Sequence, residues 1–184
     1  MNGTYKHKRL FHRFIRLLVM IGMAISVMSI GQYVMAADFD KGMKAYRSSD
    51  YATAMAEWRP LAEANHAAAQ SNLGLMYYSG YGAPQDYAEA LTWYRRAAEV
   101  GDAQAQNNLG RMYDRGEGVP QDYVTAYMWY NLAASQKNQP DNHIYIIYLI
   151  NRETIIKRMT HAQIAEGQRL SRECIARNYK NCAR

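Results

Sequence analysis

Apolar residues recur through the middle of the chain with the spacing of helix faces. In one segment they follow an i, i+4, i+7, i+8 pattern, which places them on one side of a helix: Ala69, Leu73, Met76 and Tyr77. The segment from Tyr87 to Ala98 follows the same rule. The stretch between them holds two glycines and a proline. Because glycine permits positive φ and proline ends a helix, the pattern predicts two helices joined by a turn.

This helix–turn–helix pattern occurs twice. Nineteen of 36 positions are identical between residues 67–102 and 103–138. In the first copy the shared frame includes Asn72-Leu73-Gly74, Met76-Tyr77, Gly80, Gly82, Pro84-Gln85-Asp86-Tyr87, Ala90, Trp93-Tyr94 and Ala97-Ala98. A fixed period of this length is typical of stacked repeats, since one such unit is too small to bury its own apolar face.

Three details refine the repeat. Asp86 lies where an N-cap belongs and has Glu89 three residues on, as in a capping box. In the second copy Asp122 has the same N-cap position, but no Glu or Gln follows three residues on. Gly74 and Gly110 lie inside helices, where glycine costs up to about 1 kcal/mol. Their recurrence predicts that a partner helix approaches closely at both positions.

A degraded copy precedes the two repeats. The segment Asp50-Tyr51-Ala52 aligns with Asp86-Tyr87-Ala88, and a first helix is predicted over about 38–48. The turn with its two glycines and proline is missing from this copy. Residues 37–66 are therefore predicted to form an N-terminal capping repeat, since terminal repeats are atypical.

The motif A-x-x-x-L-G-x-x-Y-x-x-G-x-G-x-x-x-D-x-x-x-A-x-x-W-Y-x-x-A-A is met almost completely in both copies. It resembles the Sel1-like repeat family, a branch of the tetratricopeptide-type solenoids, over about residues 38–137. The resemblance implies an all-α fold, a right-handed α-solenoid of antiparallel helix pairs that binds other proteins. The family has no shared catalytic residues, so it implies neither an enzyme nor a cofactor.

Residues 1–36 read as a secretory signal peptide. Five basic residues precede an apolar stretch from Leu17 to Ile30, and Val34 and Ala36 suit a cleavage before Ala37. The alternative is an uncleaved membrane anchor, because the stretch counted on to Ala37 has 21 residues, and ~20 residues span a bilayer. Cleavage predicts a periplasmic or secreted protein, and an anchor predicts an inner-membrane protein.

Removal of this segment changes the charge. The whole chain has a formal net charge of +6, whereas residues 37–184 carry 17 basic and 16 acidic side chains. The positive net charge, which was the main argument for nucleic-acid binding, is therefore largely absent from residues 37–184. The remaining charge is uneven, because residues 151–184 carry 8 basic and 3 acidic side chains. This basic end suggests either an anionic partner or a solvated helix face.

Residues 139–184 are predicted to form a helical cap of two helices. The first, from His143 to about Lys157, contains seven consecutive apolar residues at 144–150. Alone, this β-branched and aromatic run could be a strand, but its helical neighbours and the residues that follow at 153–157 favour a buried helix. Thr160 and Gln163 have the spacing of a capping box that opens the second helix. Such a cap would close the end of the stack.

The two cysteines are Cys174 and Cys182. On one straight helix their Cα atoms would lie ~12 Å apart, too far for a disulfide. Asn178 lies between them and can adopt the left-handed conformation that ends a helix. In an exported protein an even pair favours a disulfide, and free or intermolecular thiols are the alternatives.

No catalytic or metal-binding motif occurs in the sequence. The histidines of residues 37–184, His66, His143 and His161, lack metal-ligand spacing, and the cysteines lack a C-x₂-C partner. The Gly-x-Gly segments lack the lysine and the preceding strand of a phosphate loop. The Trp and Tyr residues at helical spacing are predicted to be core.

These observations favour a protein-binding solenoid that acts as a periplasmic adaptor or regulator. Helix positions that differ between the copies while the frame stays constant are the candidate protein contacts. They are Ser71, Leu75 and Tyr78 in the first copy and Asn107, Arg111 and Asp114 in the second. The alternatives are a membrane-tethered regulator of a sensor protein and a hydrolase of cell-wall or β-lactam substrates. The sequence does not name the partner.

Overall fold

The computed structural model describes residues 37–136 and 142–182, so the predicted signal peptide lies outside the described residues. These residues form eight α-helices and no strand. The helices are α1 (Phe39–Arg47), α2 (Tyr51–Glu63), α3 (Ala67–Ser79), α4 (Tyr87–Ala98), α5 (Ala103–Arg115), α6 (Tyr123–Ser135), α7 (Asn142–Ile156) and α8 (His161–Ala176). The all-α solenoid predicted from the sequence is confirmed.

Consecutive helices pack in pairs. In the two repeats α3 packs on α4 and α5 packs on α6, while α2 and α4 each pack on the first helix of the following pair. Gly80 and Gly116 end α3 and α5 in the left-handed conformation, each at φ 72°. Positive φ is strained for other residues, so the turn needs glycine there. The helix faces that periodicity marks as apolar are the faces that pack against neighbouring helices.

Asp86 and Asp122 cap α4 and α6 as predicted, each accepting hydrogen bonds from two backbone N–H groups. The capping box predicted at Asp86 is wrong. The Glu89 carboxylate instead accepts a hydrogen bond from Trp93 Nε1, with the two atoms 3.1 Å apart. The Asp86 N–H, which would donate to Glu89 in a capping box, instead donates to the Tyr77 carbonyl oxygen at 3.0 Å.

The helix pairs approach most closely at glycine. A Cβ atom added to Gly74 would lie 2.6 Å from the ring of Tyr94, and one added to Gly110 would lie 2.6 Å from the ring of Tyr130. Real Cβ atoms do not come so near, so a side chain at either position would force the helices apart. The prediction of close approach is confirmed.

The core continues through the solenoid. Trp58 lies in a cluster with residues of α1, α3 and α4, and Trp129 lies in a second cluster that extends from α4 to α8. Trp93 and Trp129 are buried, as the helical spacing predicted. Burial of aromatic side chains at each layer joins neighbouring pairs into one unit.

Both predicted C-terminal helices are present. Thr160 and Gln163 form the predicted capping box at the start of α8. Tyr148 and Ile155 of α7 are buried. The prediction of a buried helix is correct for the side that carries these two residues. It is wrong for the other side, where several isoleucines are exposed to solvent. Both α7 and α8 pack on α6 and make little contact with each other, so one side of α7 stays uncovered.

Cys174 and Cys182 are joined by a disulfide, with their Cα atoms 4.9 Å apart. The chain turns back between them through Asn178 at φ 51° and Tyr179 at φ 65°. The ring of Tyr179 lies against Gly101 in the turn between α4 and α5. The disulfide therefore holds a turn that reaches back to the junction of the two repeats.

Candidate interaction surface

The six candidate contact residues lie on α3 and α5, the first helices of the two repeats. Leu75, Tyr78, Arg111 and Asp114 are partly exposed. Ser71 and Asn107 are 1% and 8% exposed, so both lie beneath the surface. The structure thus divides the set into four accessible side chains and two buried ones.

The accessible side chains of the two repeats meet. The guanidinium carbon of Arg111 lies 4.3 Å from the centre of the Tyr78 ring, a cation–π contact between repeats. The Tyr78 hydroxyl donates a hydrogen bond to Glu117 Oε2 at 2.7 Å. Burial, and then this bond to the carboxylate, raise the pKa of Tyr78. The tyrosine therefore stays a neutral donor, and its ring gives Arg111 a fixed platform.

Asp114 connects the second repeat to the C-terminal cap. Its Oδ1 atom lies 2.5 Å from Arg158 Nη1, in the segment between α7 and α8. Arg158 also donates a hydrogen bond to the Tyr123 hydroxyl and lies over the Tyr123 ring, 4.3 Å from its centre. Three interactions therefore hold Arg158, and the Asp114 carboxylate is already paired.

The two buried positions join helices instead of facing solvent. Asn107 Oδ1 accepts a hydrogen bond from Asn151 Nδ2 on α7 at 2.8 Å. Ser71 lies near Asp102, the N-cap residue of α5. Burial raises the pKa of the Asp102 carboxyl overall, and the hydrogen bond from the Ala105 N–H and then the nearby Ser71 hydroxyl oppose that rise.

A recurring contact between repeats was missed in the sequence. Arg59 Nη2 donates to the Tyr77 hydroxyl at 2.7 Å, and Arg95 Nη2 donates to the Tyr113 hydroxyl at 2.8 Å. Both pairs join the second helix of one unit to the first helix of the next. The signal was available, because the arginines are 36 residues apart, like the tyrosines.

Within residues 37–136 and 142–182, no group of three or more His, Cys, Asp or Glu side chains could hold a metal ion. All three histidines of these residues are exposed and lie at or near helix starts, with His143 the second residue of α7. His66 caps α3 through Nδ1, which accepts from the Ala69 N–H at 3.2 Å, and His161 begins α8. The described surface offers polar and aromatic contacts, and we assign it no catalytic group.

Comparison with known proteins agrees with this architecture. Residues 67–102 and 103–138 each match the Sel1 repeat family model. Among solved structures, the chain is similar to a protective antigen present in uropathogenic Escherichia coli strains, which displays an SLR fold. That match has a TM-score of 0.67 and 30% identity, and it covers 77% of this chain and 30% of the other.

A Sel1 repeat protein from Oxalobacter formigenes is also similar, with a TM-score of 0.53 and 27% identity, over 64% of this chain and 56% of that one. The chain spans less than two thirds of the length of either structure. No curated protein sequence matches it.

Proposed function

Because this chain carries two Sel1 repeats within an α-solenoid, we propose that it is a non-catalytic protein-binding module, an exported adaptor or regulator of another protein. The observation that carries the proposal is the contact of Arg111 with Tyr78. It joins one variable position of each repeat, whereas the constant frame supplies core residues such as Leu73 and Leu109.

The proposed contact surface consists of Leu75, Tyr78, Arg111 and Asp114. Ser71 and Asn107 are buried, so they would shape this surface without touching the partner. The exposed set combines an aliphatic, an aromatic and an arginine side chain, the residue types that dominate binding energy in protein interfaces. Variation at these positions on a fixed scaffold is how repeat proteins acquire different partners.

Arg111 is the residue best placed to determine which partner binds. Within the described residues it forms no ion pair, whereas the neighbouring Asp114 is paired with Arg158. A guanidinium already held over an aromatic ring loses little freedom when it binds a carboxylate. We therefore expect an acidic side chain of the partner at this position.

Export is supported by the disulfide. A bridge between Cys174 and Cys182 persists in an oxidising compartment such as the periplasm. None of the described helices is long and apolar enough to cross a membrane. If residues 1–36 remain attached, the same solenoid would be a membrane-tethered regulator of a sensor protein. Nothing in the described residues favours the hydrolase alternative.

Site-specific photocrosslinking in the native cell tests the proposal. A photoreactive phenylalanine replaces Leu75 or Arg111 in separate variants. A third variant carries it at Thr92, which is exposed on α4 and serves as the matched control. We expect one and the same partner to be crosslinked from positions 75 and 111 and to be absent from position 92. Equal crosslinking from all three positions, or none from 75 and 111, would contradict the proposed surface.

A further inference from the structure

The packing of a glycine against an aromatic ring places α1 in register with the first helices of the repeats. Gly42 of α1 contacts the Trp58 indole of α2, and Gly74 of α3 and Gly110 of α5 contact tyrosine rings in the same way. Residues at equal distances from these glycines therefore occupy equivalent positions on the three helices. One residue after the glycine they are Met43, Leu75 and Arg111, and five residues after it they are Arg47, Ser79 and Arg115.

These six residues form one surface, the first-helix face. Positions four residues apart share one side of a helix, and all six side chains are exposed or partly exposed. The three helices meet along this face, because Asn72 Nδ2 of α3 lies 3.5 Å from Met43 Sδ and Arg111 lies over the Tyr78 ring. Met43 and Arg47 also line one hollow on α1. The variable surface of the two repeats therefore continues onto the N-terminal capping repeat.

The first-helix face is cationic although the helices around it are acidic. Residues 37–150 carry 9 basic and 13 acidic side chains, yet the charged residues of this face are all arginines. Arg47 and Arg111 form no ion pair within the described part of the chain. Arg115 lies 3.7 Å from Glu117 and keeps 58% of its side chain exposed. Guanidinium groups are thus available on both α1 and α5.

The carboxylates beside this face are already opposed by cations. Asp40 shares the hollow on α1 with Lys44 and Arg47, and Asp114 is paired with Arg158. Leu75, on the helix between the two arginines, adds aliphatic surface. The face therefore combines an aliphatic centre with positive charge on either side, which complements an acidic peptide better than a neutral or basic one.

We propose that the first-helix face binds an extended acidic segment of the partner. One carboxylate pairs with Arg47, a second pairs with Arg111, and an aliphatic side chain between them packs on Leu75. This inference rests on the proposed protein-binding function and extends its surface to α1. Contacting helices lie about 10 Å apart, so α1 and α5 are separated by roughly 20 Å. An extended chain rises about 3.3 Å per residue, so carboxylates about six residues apart reach both arginines.

Fluorescence anisotropy with a synthetic peptide and the purified chain measures this binding. The probe is a fluorescein-labelled nonapeptide of alanine and glycine, with two glutamates six positions apart and a leucine midway between them. We expect saturable binding, and Arg47→Glu and Arg111→Glu should each weaken it at least about 10-fold, because a charge-assisted hydrogen bond is lost. Arg172→Glu is the matched control, since Arg172 is exposed on α8 outside this face. Circular dichroism verifies that each variant keeps its helix content.

Two further probes separate specific contacts from general attraction to cations. A peptide with the two glutamates adjacent has the same charge but the wrong spacing, and it should bind at least about 10-fold more weakly. The variant Arg47→Glu/Arg111→Glu should bind a peptide with lysines in place of both glutamates, which the wild type does not bind. A wild-type chain that shows no saturable binding, equal binding of the two spacings, or a folded double variant without rescue would overturn the proposal. Equal displacement of the probe by oligodeoxythymidylate would also overturn it, in favour of a nucleic-acid ligand.

Failure of this inference can be told from failure of the proposed function. A photoreactive phenylalanine in place of Met43 extends the crosslinking experiment to α1, and we expect the same partner to be captured from positions 43, 75 and 111. A partner captured from 75 and 111 but not from 43 would overturn the extension to α1 and leave the proposed surface standing. A partner captured from none of the three would contradict the proposed function itself.

Discussion

Gly42 of α1 lies directly against the indole ring of Trp58 on α2. Gly74 lies against the ring of Tyr94 in the same way, and Gly110 lies against the ring of Tyr130. The indole also donates a hydrogen bond from Nε1 to the Phe39 carbonyl at 3.2 Å. The N-terminal helix pair therefore keeps the central packing device of the repeats even though it lacks their turn.

Substitution of the glycine tests this device. Gly74→Ala adds a Cβ atom that meets the Tyr94 ring. Alanine favours helix by up to about 1 kcal/mol, but overpacking of a buried contact costs about 1–3 kcal/mol, so we expect net destabilisation. Urea unfolding followed by circular dichroism measures it. Thr92→Ala on the exposed side of α4 should change stability by no more than about 0.5 kcal/mol. Stabilisation by Gly74→Ala would show that the ring has room to move.

The tryptophan of the repeat should be a principal stabilising residue. Trp93 is 6% exposed and packs with residues of α2 and α3. Trp93→Ala removes this burial and leaves a cavity, at a cost of about 3–5 kcal/mol. A thermal melt of the purified variant should show a lower transition temperature. An unchanged melting curve would contradict the packing described for the first repeat.

The two N-cap aspartates Asp102 and Asp50 should respond to pH in opposite ways. Burial raises the pKa of Asp102 above its ordinary value, so the folded state disfavours its charge. Asp102→Asn keeps the cap and removes that cost. We expect the variant to be more stable than wild type at pH 7. The advantage should disappear as pH falls through the folded pKa and below pH 3.8, where wild-type Asp102 is neutral both folded and unfolded.

Asp50 is the matched comparison. It is exposed at the start of α2, and its hydrogen bonds with Thr53 lower its pKa, so the folded state favours its charge. Asp50→Asn should therefore destabilise at pH 7, and the loss should fade as pH falls below the unfolded value near 3.8. Urea titrations at pH 7 and at acid pH measure both differences. Two differences of the same sign at pH 7 would contradict the assigned environments.

Reduction of the disulfide should act locally. The bridge between Cys174 and Cys182 closes a short loop and contributes roughly 2–3 kcal/mol. Without it the turn that holds Tyr179 against Gly101 loses its constraint, and the end of α8 should exchange amide protons faster. The ends of a solenoid fray before its middle, so residues 67–136 should keep their protection. Two reactive thiols per oxidised, unfolded chain would show that the bridge does not form.

Export should leave a shorter chain. If residues 1–36 are a signal peptide, protein recovered from the periplasm begins at Ala37. Intact-mass measurement of material from native cells decides this. A chain that still begins at Met1 and sediments with membranes would establish the tethered form instead.

The sequence by itself determined the local structure and the order of the helices. Helix faces follow from a period near 3.6 residues, and caps such as Asp86 and the turn at Gly80 depend on groups a few residues away. The repeat appears as identity at a spacing of 36, and stacking follows because one unit cannot bury its own apolar face. Even the turn at Asn178 was predictable, since the conformation that Asn tolerates is a local property.

Only the tertiary structure decided which side chains are covered. Ser71 and Asn107 vary between copies like surface residues, yet neighbouring helices bury both. The isoleucines of α7 form an apolar run like a core segment, yet α8 packs on α6 and leaves them exposed. Periodicity records which residues share a face of a helix. Whether that face is buried depends on contacts with helices distant in sequence, and those contacts form only when the chain has folded.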